Sequence, residues 1–93
     1  MSHASADDVR RFVLTRVSEG LSAIGLSPEE VPDDFDLLLE EVIDSFGLLE
    51  LITAVETHFG VALDFDELDA DDMTVIGAFS RYVEAQSAGA AGP

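Results

Sequence analysis

The 93-residue chain has room for one domain and one modest core. Apolar residues make up 47% of it, while four Arg and no Lys face twenty Asp and Glu, for a formal net charge of −16. That balance excludes a disordered polyelectrolyte and opposes binding to nucleic acid or anionic membrane surfaces; the absence of Cys removes disulfides, thiolate metal sites and a Cys nucleophile together.

The first residues, MSHASADDVRRF, have neither the basic start nor the apolar stretch of a secretory signal, and no apolar run reaches the length of a membrane span. The expected compartment is the cytoplasm. Residues 1–5 are expected to be flexible. A first helix is expected from Ala6 to Ile24, opened by a capping pattern in which Ser5 precedes Asp8 by three residues. Val9, Val13, Val17, Leu21 and Ile24 recur at helical spacing with Phe12 beside them. Gly20 weakens the interior of this helix, and Gly25 stops it.

Leu26 to Ile43, LSPEEVPDDFDLLLEEVI, holds two Pro and a cluster of acids without a clean apolar period. Pro28 to Val31 can form a short helical turn. The rest reads as a long connection pinned by Phe35, Leu37, Leu38, Val42 and Ile43, a kind of segment that is often functional.

A second helix is expected from Ser45 to Phe59, with Gly60 as its stop. On a helical wheel Leu48, Leu51, Ile52, Val55 and Phe59 share one arc, the buried stripe. Glu50, Thr53 and Thr57 face water, and Ser45 lies on the border in line with Leu49 and Glu56. Phe46 falls on the polar side, where a large ring is unexpected for a helix that only packs.

Within VALDFDELDADD, Phe65 to Leu68 can make one short helical turn. The last helix is expected to start with Thr74 as N-cap and to end near Ala85 or Gln86. Val75, Ala78, Phe79, Tyr82 and Val83 form its core-facing pattern. Residues 87–93 read as a disordered tail, leaving 6–86 as the folded domain. The expected fold is all-α, a small bundle of three main helices plus one short helix.

Three kinds of chemistry compete. DFDELDADD is dense in oxygen ligands, but an EF-hand loop starting at Asp64 would put Leu68, Asp69 and Val75 where Asp or Asn, Gly and Glu belong, so no metal site is expected. A serine nucleophile needs a base. His58 lies thirteen residues from Ser45 along one helix, about 20 Å away at 1.5 Å per residue, so it cannot serve, and a solvated His58 is the better reading. No catalytic residues and no enzyme activity are expected. Asp44 and Ser45 at a helix start could simply cap it. Yet Phe46 facing water, Gly47 beside it and a helix N-terminus suited to a phosphoester point to a serine that another enzyme modifies.

With these residues in view, the chain resembles a discrete acyl carrier protein from about Val9 to Val83. The resemblance rests on IDSFGLLELITAVETHFG, on SPEEVPDDFDLL and on MTVIGAFSRYV. It implies an acyl-carrier-like bundle in which Ser45 bears a covalent 4′-phosphopantetheine arm and holds an acyl group as a thioester, with Asp44 completing the modification motif. It also implies a partner-binding face on the second helix, formed by Phe46, Leu48, Leu49, Glu50, Thr53 and Glu56. The implied partners are a phosphopantetheinyl transferase, an acyltransferase or acyl or aminoacyl ligase, and a ketosynthase or other synthase with basic patches, all meeting a monomer. The DSFG form is similar to D-alanyl carriers and to carriers of polyketide extender units, and LLELITAVETHFG leans toward the second, hence toward polyketide or antibiotic biosynthesis. Glu41 stands where such carriers often have Gly. An acidic interaction module without a prosthetic group is the reading from another class.

Overall fold

Ser5 opens the first helix as its sequence pattern predicts. Its hydroxyl accepts the Asp8 N–H at 3.1 Å, and the Asp8 carboxylate accepts the Ser5 N–H at 3.3 Å. Asp7 and Asp8 in the first turn and Arg16 in the last complement the helix dipole. The computed structural model describes residues 5–63 and 73–91, with side chains to residue 87. Its described helices are α1 (Ala6–Arg16), α2 (Ser18–Ala23), α3 (Ser45–Phe59) and α4 (Ile76–Ala91), with a 3-10 turn at Pro28–Glu30. The expected all-α fold is the one observed. The helical turn expected at Phe65 to Leu68, the acidic run DFDELDADD around it and most of residues 1–5 lie outside the described residues.

The single helix expected from Ala6 to Ile24 is divided at Val17, whose φ of −101° and ψ of 15° leave the helical range. The β-branched Val17 is followed by Ser18 and Gly20, all weaker helix formers than Ala or Leu. Gly20 also sets where α2 runs: a Cβ there would meet the Val42 carbonyl oxygen at 2.4 Å. Ile24, expected in the buried stripe, is 46% exposed because α2 has already ended.

Helix α3 matches its expected bounds. Gly60 ends it at φ 67°, the left-handed conformation favoured at a helix C-cap. Leu48, Leu51, Ile52 and Val55 are buried, and Phe59 packs at their edge.

Helix α4 begins at Ile76, two residues after the expected cap Thr74, and runs to Ala91, past the end expected at Ala85 or Gln86. The extension passes through Ala85, Ala88, Ala90 and Ala91, the residue type with the highest helix propensity, which needs no apolar period to be helical.

The core joins Val9 and Val13 of α1, Leu21 of α2, Ile52 and Val55 of α3, and Ile76, Phe79 and Val83 of α4. Each such side chain, fully buried, contributes roughly 1.5–3 kcal/mol of transfer free energy. Helix α1 packs against both α3 and α4.

The connection between α2 and α3 is ordered by hydrogen bonds remote in sequence. Leu37 N–H donates to the Thr74 carbonyl at 2.9 Å, Ile76 N–H to Phe35 at 3.0 Å and Gly77 N–H to Asp33 at 2.8 Å. Asp36 pairs with Val75 in an isolated antiparallel bridge. Gly77 allows this contact, since a Cβ there would lie 2.8 Å from the Asp33 carbonyl oxygen. Leu37 is buried and Phe35 and Ile43 pack on the core, as expected of residues that pin the segment.

Candidate functional site

The start of α3 answers whether Ser45 is needed as a cap. Asp44 holds that position: its backbone is extended, and its carboxylate accepts the Gly47 N–H at 2.7 Å. Ser45 is therefore the first helical residue. It is exposed, and among the described residues none hydrogen-bonds its hydroxyl. At this end of the helix the first backbone N–H groups lack partners within the helix, and the dipole is positive.

His58 stands apart from this end. Its ring stacks on Phe12 of α1, with centroids 4.3 Å apart, and Phe59 meets Phe12 edge-on at 5.4 Å. His58 is thus exposed but tied to α1, with no role at the Ser45 hydroxyl. Among the described residues no group of His, Asp or Glu could hold a metal ion, and no helix is long and apolar enough to cross a membrane.

Of the six residues expected to meet partners, four are exposed. Phe46 is 69% exposed and Leu49 is 60% exposed, with Glu50 and Thr53 also facing water. The Thr53 hydroxyl donates to the Leu49 carbonyl at 3.0 Å. Leu48 must be removed from that face. It is 7% exposed and belongs to the core, where its place in the apolar arc of the wheel put it. Glu56 is half-buried and its carboxylate accepts the Leu63 N–H at 2.9 Å, so it braces the chain that leaves α3.

The turn before α3 adds residues that sequence patterning missed. In DLLLEE, Leu37 is buried while Leu39 is 76% exposed. The Asp36 carboxylate fixes this arrangement. One oxygen accepts the Leu38 and Leu39 N–H groups at 3.0 and 2.9 Å, and the other accepts the Thr74 hydroxyl at 3.0 Å. Glu41 has φ 62°, and it is the one non-glycine residue with positive φ among those described. The resemblance described above, which sets Glu41 against an expected Gly, was a sequence signal for that turn. Leu38, Glu41, Val42, Ile43, Asp44 and Ser45 together line an open surface groove.

The electrostatics of this surface are one-sided. No Lys or Arg occurs between Arg16 and Arg81, whereas most of the twenty acids do. Glu40, Glu41, Asp44 and Glu50 are all exposed around the start of α3.

Comparison with known proteins agrees with this geometry. Residues 21–83 match the family model described as a phosphopantetheine attachment site. The acyl carrier protein of Chlamydia trachomatis serovar L2 is 30% identical over 78 residues, covering 84% of this chain and 90% of that protein. The acyl carrier protein of Wolinella succinogenes is 26% identical over 78 residues, covering 84% and 91%. The D-alanyl carrier protein of Bacillus licheniformis is 42% identical over 38 residues, 41% of this chain, so the match spans about half of that relative, 49%. No solved structure matches. Such carriers have no catalytic activity of their own, and their prosthetic group is a covalent 4′-phosphopantetheine. A family match over more than half of the chain, residues 21–83, on a bundle whose third helix opens with an exposed serine that none of the described residues engages, makes this chain a member of the acyl carrier proteins.

Proposed function

We propose that Ser45 is the residue that bears the phosphopantetheine arm, and that the chain carries acyl intermediates between enzymes of polyketide or related specialised metabolism. The observation that supports the site is the division of labour at the start of α3. Asp44 does the capping, and the neighbouring hydroxyl is left exposed and unbonded among the described residues. The residues present fit the group: a phosphoester at Ser45 would stand at the positive end of the α3 dipole. When bound, the arm's terminal thiol supplies the thioester linkage for the cargo. Phe46, Leu49, Glu50 and Thr53 then form the part of the docking face that α3 contributes, suited to basic patches on the transferase and on ligase, acyltransferase or synthase partners. The proposed setting is the cytoplasm, which suits a chain without cysteine.

Incubation with coenzyme A and a broad-specificity phosphopantetheinyl transferase is expected to add one phosphopantetheine by intact mass, and Ser45→Ala to add none. An unmodified parent, or equal modification of the variant, would overturn the assignment. A second reading, an aminoacyl carrier, is favoured by the similarity to the D-alanyl carrier protein. Intact mass of the protein from its producer, with the thioester preserved, separates the two: an acyl mass supports the first reading, an aminoacyl mass the second.

A further inference from the structure

Leu39 is the most exposed large apolar residue described, at 76%, and the fold holds it out deliberately. The turn that carries it is rigidly built. Asp36 receives the N–H groups of Leu38 and Leu39, Glu40 N–H donates to the Asp36 carbonyl at 3.0 Å, and Val42 N–H to the Leu37 carbonyl at 2.9 Å. Leu38 and Glu41, on either side of Leu39 in the same turn, line the groove that also holds Ser45. An exposed apolar side chain held on a fixed backbone loses little freedom when a partner covers it.

We infer that Leu39 is a docking contact for the enzyme that modifies Ser45, an inference that rests on the Ser45 assignment above. The choice of partner follows from reach. An enzyme that acts on cargo at the far end of an arm can dock at a distance. The transferase must bring its own site to within bonding distance of the Ser45 oxygen. In that step the Ser45 Oγ–P bond forms, the phosphoanhydride P–O bond of coenzyme A breaks, and the adenosine bisphosphate leaves. The hydroxyl proton passes to a base of the transferase. An enzyme so placed covers the groove beside Ser45 and meets the turn that lines it. Glu40, Glu41 and Asp44 flank the leucine with exposed carboxylates and no described cation nearby in sequence. The matching partner surface is an apolar socket rimmed by Arg or Lys.

The test is the steady-state rate of phosphopantetheine transfer to the full chain by a broad-specificity transferase with coenzyme A. Leu39→Ala is expected to lower kcat/KM about tenfold, mostly through KM, as truncation of an interface anchor does. Leu39→Met is expected to restore most of it. Ile24→Ala, an exposed apolar truncation on α2's end, serves as control and is expected to match the parent. The thermal midpoint of Leu39→Ala is expected to stay at the parent value, because the side chain packs on little. Parent-like efficiency of Leu39→Ala, or an equal loss in Ile24→Ala, would overturn the inference and leave the Ser45 assignment standing. A parent that gains no mass would overturn both.

Discussion

The face formed by α1 and α4 and the face around the start of α3 treat charge in opposite ways. All four arginines lie on the first; three of them form ion pairs within the chain, and Arg16 lies over the Phe12 ring, 5.9 Å from its centroid. Arg10 and Arg81 both reach Asp33, at 3.0 and 3.4 Å, and Arg11 pairs with Asp8 at 3.7 Å. The Arg10 guanidinium also donates to the Val31 carbonyl. On the second face acids meet no cation among the described residues, and Leu39, Phe46 and Leu49 stand in water. One face satisfies itself; the other is left to be satisfied by something else. A surface with that composition attracts basic partners over a distance and offers apolar contacts once they arrive.

The sharpest way to break the contrast is at the serine. Ser45→Ala is expected to abolish phosphopantetheine transfer by intact mass while leaving the urea midpoint unchanged, because Asp44 still caps α3. A fall in stability of about 1 kcal/mol, the worth of a lost cap, would return Ser45 to a structural role. Gly20→Ala tests the seam between the faces. Its methyl group would collide with the Val42 carbonyl, so a loss of about 1–3 kcal/mol in urea unfolding is expected, despite the better helix propensity of Ala. Asp33→Ala tests the self-satisfied face. It should cost about 1 kcal/mol or less, shrink further with added salt, and leave the rate of modification untouched. Smallest is Glu41→Gly. It relieves a left-handed side-chain conformation but frees the unfolded chain, so stability should be unchanged or rise by up to ~1 kcal/mol. A clear loss on that substitution would mean the carboxylate itself holds the turn.

What could be read from the sequence was whatever is decided locally. The Ser5 and Asp8 box, the apolar arc of α3 and its Gly60 stop depend on residues three or four apart, and each is found where its spacing put it. The carrier family was legible for a similar reason, since its motif is contiguous across the start of α3. The expected partner role of Leu48 came from the resemblance, and the wheel had already placed that residue in the core. Turn 36–43 was opaque because it is set by bonds to Thr74, which lies 38 residues from Asp36. No window of sequence contains both ends of such a bond, so nothing in DLLLEE distinguishes the leucine that goes in from the one that goes out. The need for Gly20 was hidden likewise: only the approach of Val42 shows why it is there. The run of alanines in α4 lacked the periodicity that flags a packed helix, although propensity alone favoured it.

The hydrogen bonds that join residues 33–37 to residues 74–77 bear on how quickly and firmly a partner can be met. A loop that must be frozen on contact gives up about 1–2 kcal/mol of conformational freedom for every residue it orders. Here the backbone is immobilised in advance by Asp36, Leu37 and Ile76, so a visitor need only still the leucine's own rotations, a cost of roughly 0.5–1 kcal/mol. The amide protons of Leu37, Ile76 and Gly77 should accordingly exchange with solvent on the timescale of α4. On the proposal that Leu39 meets the transferase, that contact is ready before the enzyme arrives.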